Sequence, residues 1–306
     1  MDRRDFLESA AGLAVGLGSS RLARASEPAS PLPTVKFKDH EVTKLVIGSN
    51  PFYGYSHFNG LLDKFMGEYM TQDTRIRILK TAEAAGINTW QLHYNDPTIA
   101  DWRRYRDEGG KMNVLLLSDF ALHNNWTLLK EVAKLKPIGV AHHGGRTDER
   151  FREKQMDKVR DFVHAVHDAG LSAGVSTHNP GVVAYIEDQG WDNDYYMTCM
   201  YRLTRTAAET RKDFGEAPLG EPFMEKDPER MLAMVRKTAK TCFAFKLMGA
   251  GRLVAQPQMI EGAFRYVLAN IKPKDAVIVG MCPKFKDEVH ENVAYVSKIV
   301  ASLQTT

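Results

Sequence analysis

IGVAHHGGRTDERFREKQMDKVRDFVHAVHDAGLSAGVST, residues 138–177, contains the pattern that decides the fold. The apolar run Ile138–His142 is too short for a helix. An amphipathic helical stretch, Arg152–Ala169, follows it, and Gly170 then stands where a left-handed C-cap residue is expected. The chain goes straight on into a second apolar run, Ser172–Thr177. Strand, helix, glycine, strand is the signature of a βα unit in a parallel sheet.

The same grammar repeats in both directions. Apolar runs occur at Lys44–Ser49, Asn88–Tyr94, Asn113–Ser118, Ile138–His142, Ser172–Thr177, Tyr195–Met200, Cys242–Met248 and Ala276–Met281. Helix candidates between them include Thr74–Ala85, Trp126–Leu135, Gly181–Gln189, Pro228–Thr238 and Phe285–Leu303, and Gly86 caps the first as Gly170 caps Arg152–Ala169. Eight such units predict an α/β fold, a single closed (β/α)8 TIM barrel whose active site is built by loops at the C-terminal ends of the strands. Val35–Glu41 reads as a small strand or hairpin at the barrel floor. The longest irregular stretch, 204–226, holds Gly215, Pro218, Gly220 and Pro222. It reads either as a lid over the barrel mouth or as a surface excursion.

Arg3-Arg4-Asp5-Phe6-Leu7 opens an Ala/Gly-rich apolar run reaching Gly18, and Ala23-Arg24-Ala25 offers a small-x-small cleavage pattern. This resembles the signal read by the twin-arginine translocase, which exports folded proteins. The expected organisation is a signal peptide over 1–25, a linker over 26–34 and a barrel domain over 35–306. The mature protein would then be periplasmic or exported, with the translocase as its partner during export. The apolar run is shorter than the ~20 residues a spanning helix needs. A formal charge of +3, from 41 basic and 38 acidic residues spread along the chain, offers no nucleic-acid stripe, so a small molecule is the expected partner. Cys199, Cys242 and Cys282 lie in or beside apolar runs and read as free thiols rather than a disulfide framework.

Ala244-Phe245-Lys246-Leu247-Met248-Gly249-Ala250-Gly251-Arg252-Leu253 is similar in register to the seventh-strand segment of aldo/keto reductases. Gly86-Ile87-Asn88, Gly174-Val175-Ser176 and Glu291-Asn292 resemble further segments of that family. The resemblance spans the barrel region and implies carbonyl reduction with NADP(H) by a Tyr, Lys, Asp and His. The chemistry matches poorly. In the register set by Gly86, Gln91 stands at the Asp position, and the Tyr position falls at about Asp96, with Tyr94 nearby. Ser118-Asp119 replaces Thr-Lys, and only His142 or its neighbour His143 corresponds. Exchanging a cation for Asp119 raises the pKa of any nearby tyrosine and makes it a poorer acid. Thr177 and Met197-Thr198 replace the amides that hold the nicotinamide. Lys284, Glu291 and Asn292 are the residues left to bind such a cofactor.

Ligand-type side chains replace the redox set at the ends of successive strands. Gln91 and His93 share one side of the second strand. Asp119 ends the third, His142-His143 the fourth, and His178 follows the fifth. His93, Asp119, His142 and His178 would suit a divalent cation such as Zn, Mn or Fe. Without metal, the three imidazoles would act as acid, base and hydrogen-bond donors. One histidine of the adjacent pair must face away. Lys246, on the seventh strand, reads as a general base, a Schiff-base amine or the ion-pair partner of Asp119 or Asp96. Asn50, Tyr53, Gln91, Tyr94, Tyr201 and Arg202 are expected to contact substrate, with aromatics and amides suited to a sugar ring. His40, His123, His164 and His167 read as surface residues.

These residues favour an enzyme acting on a carbohydrate or polyol by acid/base chemistry, with or without a metal: isomerisation, elimination or hydrolysis. An alternative is an NADP(H)-dependent oxidoreductase in which Tyr94 or Tyr53 donates the proton and His142 polarises the carbonyl. A non-catalytic sugar-binding barrel is the third reading.

Overall fold

Each of the eight expected apolar runs is a strand. The computed structural model describes residues 31–305. The proposed signal peptide, its cleavage site at Ala25 and linker residues 26–30 lie outside the described residues. A hairpin of β1 (Thr34–Phe37) and β2 (His40–Thr43) comes first. The barrel follows as β3 (Leu45–Gly48), β4 (Thr89–His93), β5 (Asn113–Leu117), β6 (Gly139–His142), β7 (Ala173–Thr177), β8 (Tyr195–Cys199), β9 (Thr241–Phe245) and β10 (Ala276–Gly280). Each strand pairs in parallel with the next. β10 closes the ring on β3 through Val277 opposite Leu45, making a closed TIM barrel with helices between the strands.

Alternation along the strands sorts their side chains into two cores. Val46, Leu115, Ala141, Met197, Phe243 and Ile278 fill the barrel interior with Tyr195. Leu45, Trp90, Leu92, Val140, Val175 and Tyr196 face outward and pack in a second cluster with helical residues such as Phe162 and Leu232. Tyr195 fits only because the facing residues are glycines. A Cβ on Gly174 would lie 2.3 Å from its ring, and one on Gly139 2.7 Å. Phe37 of the hairpin meets Tyr195 and Phe243 edge-on at 5.2 and 5.4 Å and plugs the floor.

Three local features depart from the sequence reading. The expected helix Arg152–Ala169 is present as Met156–Asp168, and an unexpected helix, Gly144–Arg152, precedes it. That preceding helix begins directly after His143, so β6 delivers its histidines straight to a helix N-terminus. The stretch 204–226 contains a helix, Ala207–Phe214, opened by a Thr206/Glu209 capping box and closed by left-handed Gly215. The seventh barrel strand stops at Phe245 instead of running to Met248. Lys246 takes φ 62° and begins a tight turn through Gly249 and Gly251. Among the described residues no helix is long and apolar enough to cross a membrane. Cys199, Cys242 and Cys282 are free thiols, the first two buried.

Candidate active site

Strand alternation selects the groups at the barrel mouth. In β4, Trp90 and Leu92 belong to the outer cluster, so Gln91 and His93 point inward. In β6, Val140 is outside and Ala141 inside, which sends His142 outward and His143 to the mouth. The expectation for His142 is therefore corrected. Its ring is buried against Phe162 at 5.1 Å and His123 at 4.5 Å, and its Nδ1 bonds Thr147 Oγ1 at 2.7 Å. His123, expected at the surface, is part of this packed layer and bonds Ser118 Oγ at 3.2 Å.

His93 and His143 face each other with ring centroids 6.1 Å apart. Burial lowers His93 to about 4, with the nearby Lys246 and His57 charges adding to the effect and Asp119 opposing it. His143 falls to about 3, again chiefly through burial, then through His93 and His178. Both rings are neutral at physiological pH, able to accept a proton at one nitrogen and donate from the other. His93 Nδ1 meets Ser49 Oγ at 3.2 Å, while His143 Nδ1 is buried with no partner among the described residues. Gln91 Nε2 is likewise buried and unpartnered. Orphaned polar atoms are costly in an interior, and the Gln91 amide, which lines a cavity at the mouth, marks where a ligand would bond.

His178, after β7, is oriented by a residue the sequence reading missed. Asp148, on the helix Gly144–Arg152, is buried, and its Oδ2 accepts from the backbone N–H of His178 at 3.0 Å and from Thr204 Oγ1 at 2.8 Å. His178 Nδ1 lies 3.0 Å from the same oxygen, and Thr177 Oγ1 donates to Oδ1. A carboxylate opposite Nδ1 places the proton there and leaves Nε2 as a free acceptor. The only sequence cue was an acidic residue five positions after His143, which becomes meaningful once a helix starts at Gly144.

The remaining groups come from three loops. Asn50 donates from Nδ2 to His57 Nε2 at 3.2 Å, and His57 Nδ1 donates to Glu221 Oε1 at 2.8 Å. Burial lowers the His57 pKa, with Lys246 acting in the same direction. Burial works against the Glu221 carboxylate, but the His57 hydrogen bond and the charges of His57 and Lys246 hold its pKa below the ordinary value. Glu221 and Phe223 thus bring the stretch after Gly215 to the mouth: the Phe223 ring lies tilted against Tyr201 with centroids 5.0 Å apart, and the Arg252 guanidinium is 3.8 Å from its ring centroid. Arg205 and Asp227 pair at the base of this excursion. Lys246 lines a cavity of about 380 Å³ beside Gln91, His57 and Asn50. Its ammonium pairs with neither Asp119 nor Asp96. It lies 5.5 Å from the Phe245 ring centroid, and burial lowers its pKa.

Several expected contacts are elsewhere. Tyr53 donates to buried Asp101 at 2.7 Å, and Tyr94 packs on the outer cluster, so neither proposed proton donor of the oxidoreductase reading reaches the mouth. Arg202 is committed to Glu209 at 2.6 Å. Asp119 caps the short helix Phe120–Asn124, accepting from Phe120 N–H at 2.7 Å and from Asn95 Nδ2 at 3.2 Å. With His142 on the far side of β6, the expected ligand set His93, Asp119, His142 and His178 does not converge. Among the described residues no group of three His, Cys, Asp or Glu side chains is arranged to hold a metal ion. Of the cofactor-binding expectations, Asn292 lines the cavity, whereas Glu291 pairs with Lys286 at 2.6 Å and Lys284 lies over the Tyr69 ring.

No protein-family model matches the sequence, and no curated protein matches it. Solved structures do resemble it. The apo form of Gox0644 aligns with TM-score 0.54 at 11% identity, over 88% of this chain and 94% of that one. The glycerol dehydrogenase AKR11B4 from Gluconobacter oxydans gives 0.49 at 13% identity, over 89% and 96%. A truncated 3-deoxy-D-arabino-heptulosonate 7-phosphate synthase from Thermotoga maritima gives 0.49 at 10%, over 90% and 92%. At these identities the likeness is one of fold, the eight-stranded TIM barrel.

Proposed function

We propose that the chain is an enzyme that moves protons on a hydroxylated carbonyl compound, carbohydrate or polyol-derived, by isomerisation or elimination at the barrel mouth. The observation that carries this reading is the facing pair of neutral imidazoles, His93 and His143, beside His178 held by Asp148. Isomerising a hydroxy-carbonyl compound requires removing a proton from carbon and returning one to the adjacent carbon or oxygen. A neutral imidazole has one nitrogen to accept a proton and an N–H to return one. His178 Nε2 and the orphaned amide of Gln91 hydrogen-bond the substrate's hydroxyl and carbonyl groups. Glu221 and Phe223 cover the site.

The oxidoreductase reading loses its proton donors, since Tyr53 and Tyr94 are committed outside the mouth. Export by the twin-arginine route stays part of the proposal: it rests on Arg3-Arg4 and the apolar run behind them. The test is a panel of aldoses, ketoses and sugar acids incubated with the mature chain and followed by proton NMR. Product with the wild type, lost in His143→Gln while His142→Gln retains it, supports the proposal. Product unaffected by His143→Gln sinks it.

A further inference from the structure

Lys44, Lys240 and Lys272 are, besides Lys246, the lysines drawn below the surface, and each gives its ammonium to oxygen. Lys44 donates to the carbonyls of Pro273 and Asp275, Lys240 to Trp191 O and Asn193 Oδ1, and Lys272 to Val235 O beside the Asp275 carboxylate. Lys246 differs. Among the described residues its Nζ has no oxygen partner, only the face of Phe245. It also occupies the left-handed backbone region at φ 62°, a conformation unfavourable for an L residue and one that glycine adopts freely. Stability alone would place glycine there. Lys38, Lys136 and Lys154 share that backbone region but are exposed, whereas in Lys246 it coincides with a missing acceptor on a side chain that lines the cavity at the C-terminal end of the barrel.

The cavity walls explain how such an amine is kept reactive. Leu247, Met248, Val254 and Ile260 line it next to Lys246, and burial lowers its pKa while Glu221 works the other way, so more of it is free amine than of an exposed lysine. Neutral imidazoles and an amide able to move protons and hold an oxygen are close by. His57 and His93 both feel the Lys246 charge, and Gln91 lines the same cavity with its amide nitrogen unpartnered.

We propose that Lys246 is a covalent attachment point for an aldehyde or ketone, which it binds as an imine. The Nζ lone pair adds to the carbonyl carbon, and one N–H proton passes through His57 or His93 to the carbonyl oxygen. The carbinolamine hydroxyl then takes a second proton, drawn from solvent and relayed by the same imidazoles, and departs as water, leaving a protonated C=N bond. No oxidant or reductant enters, and water reverses every step. The positive imine nitrogen draws electrons from the adjacent carbon and makes its proton removable by the imidazoles. The inference rests on the mouth being the reacting site, but imine formation requires no turnover, so the two readings can fail separately.

The test is reductive trapping. The mature chain is incubated at neutral pH with glycolaldehyde and sodium cyanoborohydride, and lysine labelling is followed by intact mass and peptide mapping. One fast adduct per chain is expected at Lys246, formed about tenfold faster than at exposed Lys64 or Lys154 for each unit by which its pKa is lowered. Lys246→Met, with an unchanged melting temperature, should lose that fast phase alone. Labelling of Lys246 no faster than of Lys64 in the wild type overturns the proposal, whatever the variant does.

Discussion

Replacing Asp148 by Ala removes the acceptor shared by four donors: His178 N–H, His178 Nδ1–H, Thr177 Oγ1 and Thr204 Oγ1. The threonine hydroxyls can turn elsewhere, and Thr177 Oγ1 already lies 3.3 Å from Asn179 O. The two His178 donors cannot follow a new acceptor without moving the loop. A buried donor left unsatisfied costs about 1–3 kcal/mol, so Asp148→Ala should lower stability by roughly 4 kcal/mol. Asp148→Asn keeps an acceptor oxygen and should cost about 1–2 kcal/mol. The assay is urea unfolding with the slope held common, together with nitrogen-15 NMR of His178. Wild type should show the Nδ1–H tautomer, and Asp148→Ala should show mixed tautomers and at least a tenfold loss of turnover. An Asp148→Ala variant within about 1 kcal/mol of wild type, with an unchanged His178 spectrum, would refute the argument that this carboxylate sets the imidazole.

The folded-state pKa values of His93 and His143, about 4 and about 3, lie below the unfolded value near 6.5, so below that pH the native state binds fewer protons than the unfolded chain. Stability should be complete above pH 6.5 and decline between there and about pH 4 by roughly 6 kcal/mol for the two groups together, read from urea midpoints. The acid limb of turnover should lie below pH 5 for the same reason. Tyr195→Phe removes a buried hydroxyl with no partner among the described residues and should raise the melting temperature slightly, whereas Gly174→Ala drives a methyl into the Tyr195 ring and should cost more than about 3 kcal/mol. Glu221→Gln loses a partly exposed ion pair with His57, so global stability should change by under about 1 kcal/mol. Limited proteolysis within residues 215–226 should nevertheless speed up, and an unchanged cleavage rate would show that His57 does not hold this segment.

The barrel was legible because parallel strands buried on both faces are short apolar runs, and eight of them at regular spacing admit few other solutions. Gln91 and His93 were assignable to one side of their strand from two-residue spacing alone. The His142-His143 pair was not, because the choice depends on whether Ala141 or Val140 fills the barrel, and both are small apolar residues. Asp148 and Glu221 were missed for another reason. Each is distant in sequence from the imidazole it serves, 30 residues in one case and 164 in the other, so only the folded chain brings them together. Lys246 was placed on a strand because its neighbours are apolar. The left-handed turn that takes it out of the sheet has Gly249 and Gly251 as its cue, three and five residues later.

Solvent deuterium exchange tests the central claim most directly. A hydroxy-carbonyl substrate from the NMR panel is incubated with the mature chain in heavy water, and loss of the proton on the carbon beside the carbonyl is followed. Exchange with the wild type that falls at least a hundredfold in His93→Gln and in His143→Gln, while both variants keep the wild-type melting temperature, is the predicted result. Exchange that survives both substitutions, or product formed with no exchange at all, would contradict proton transfer by the facing imidazoles.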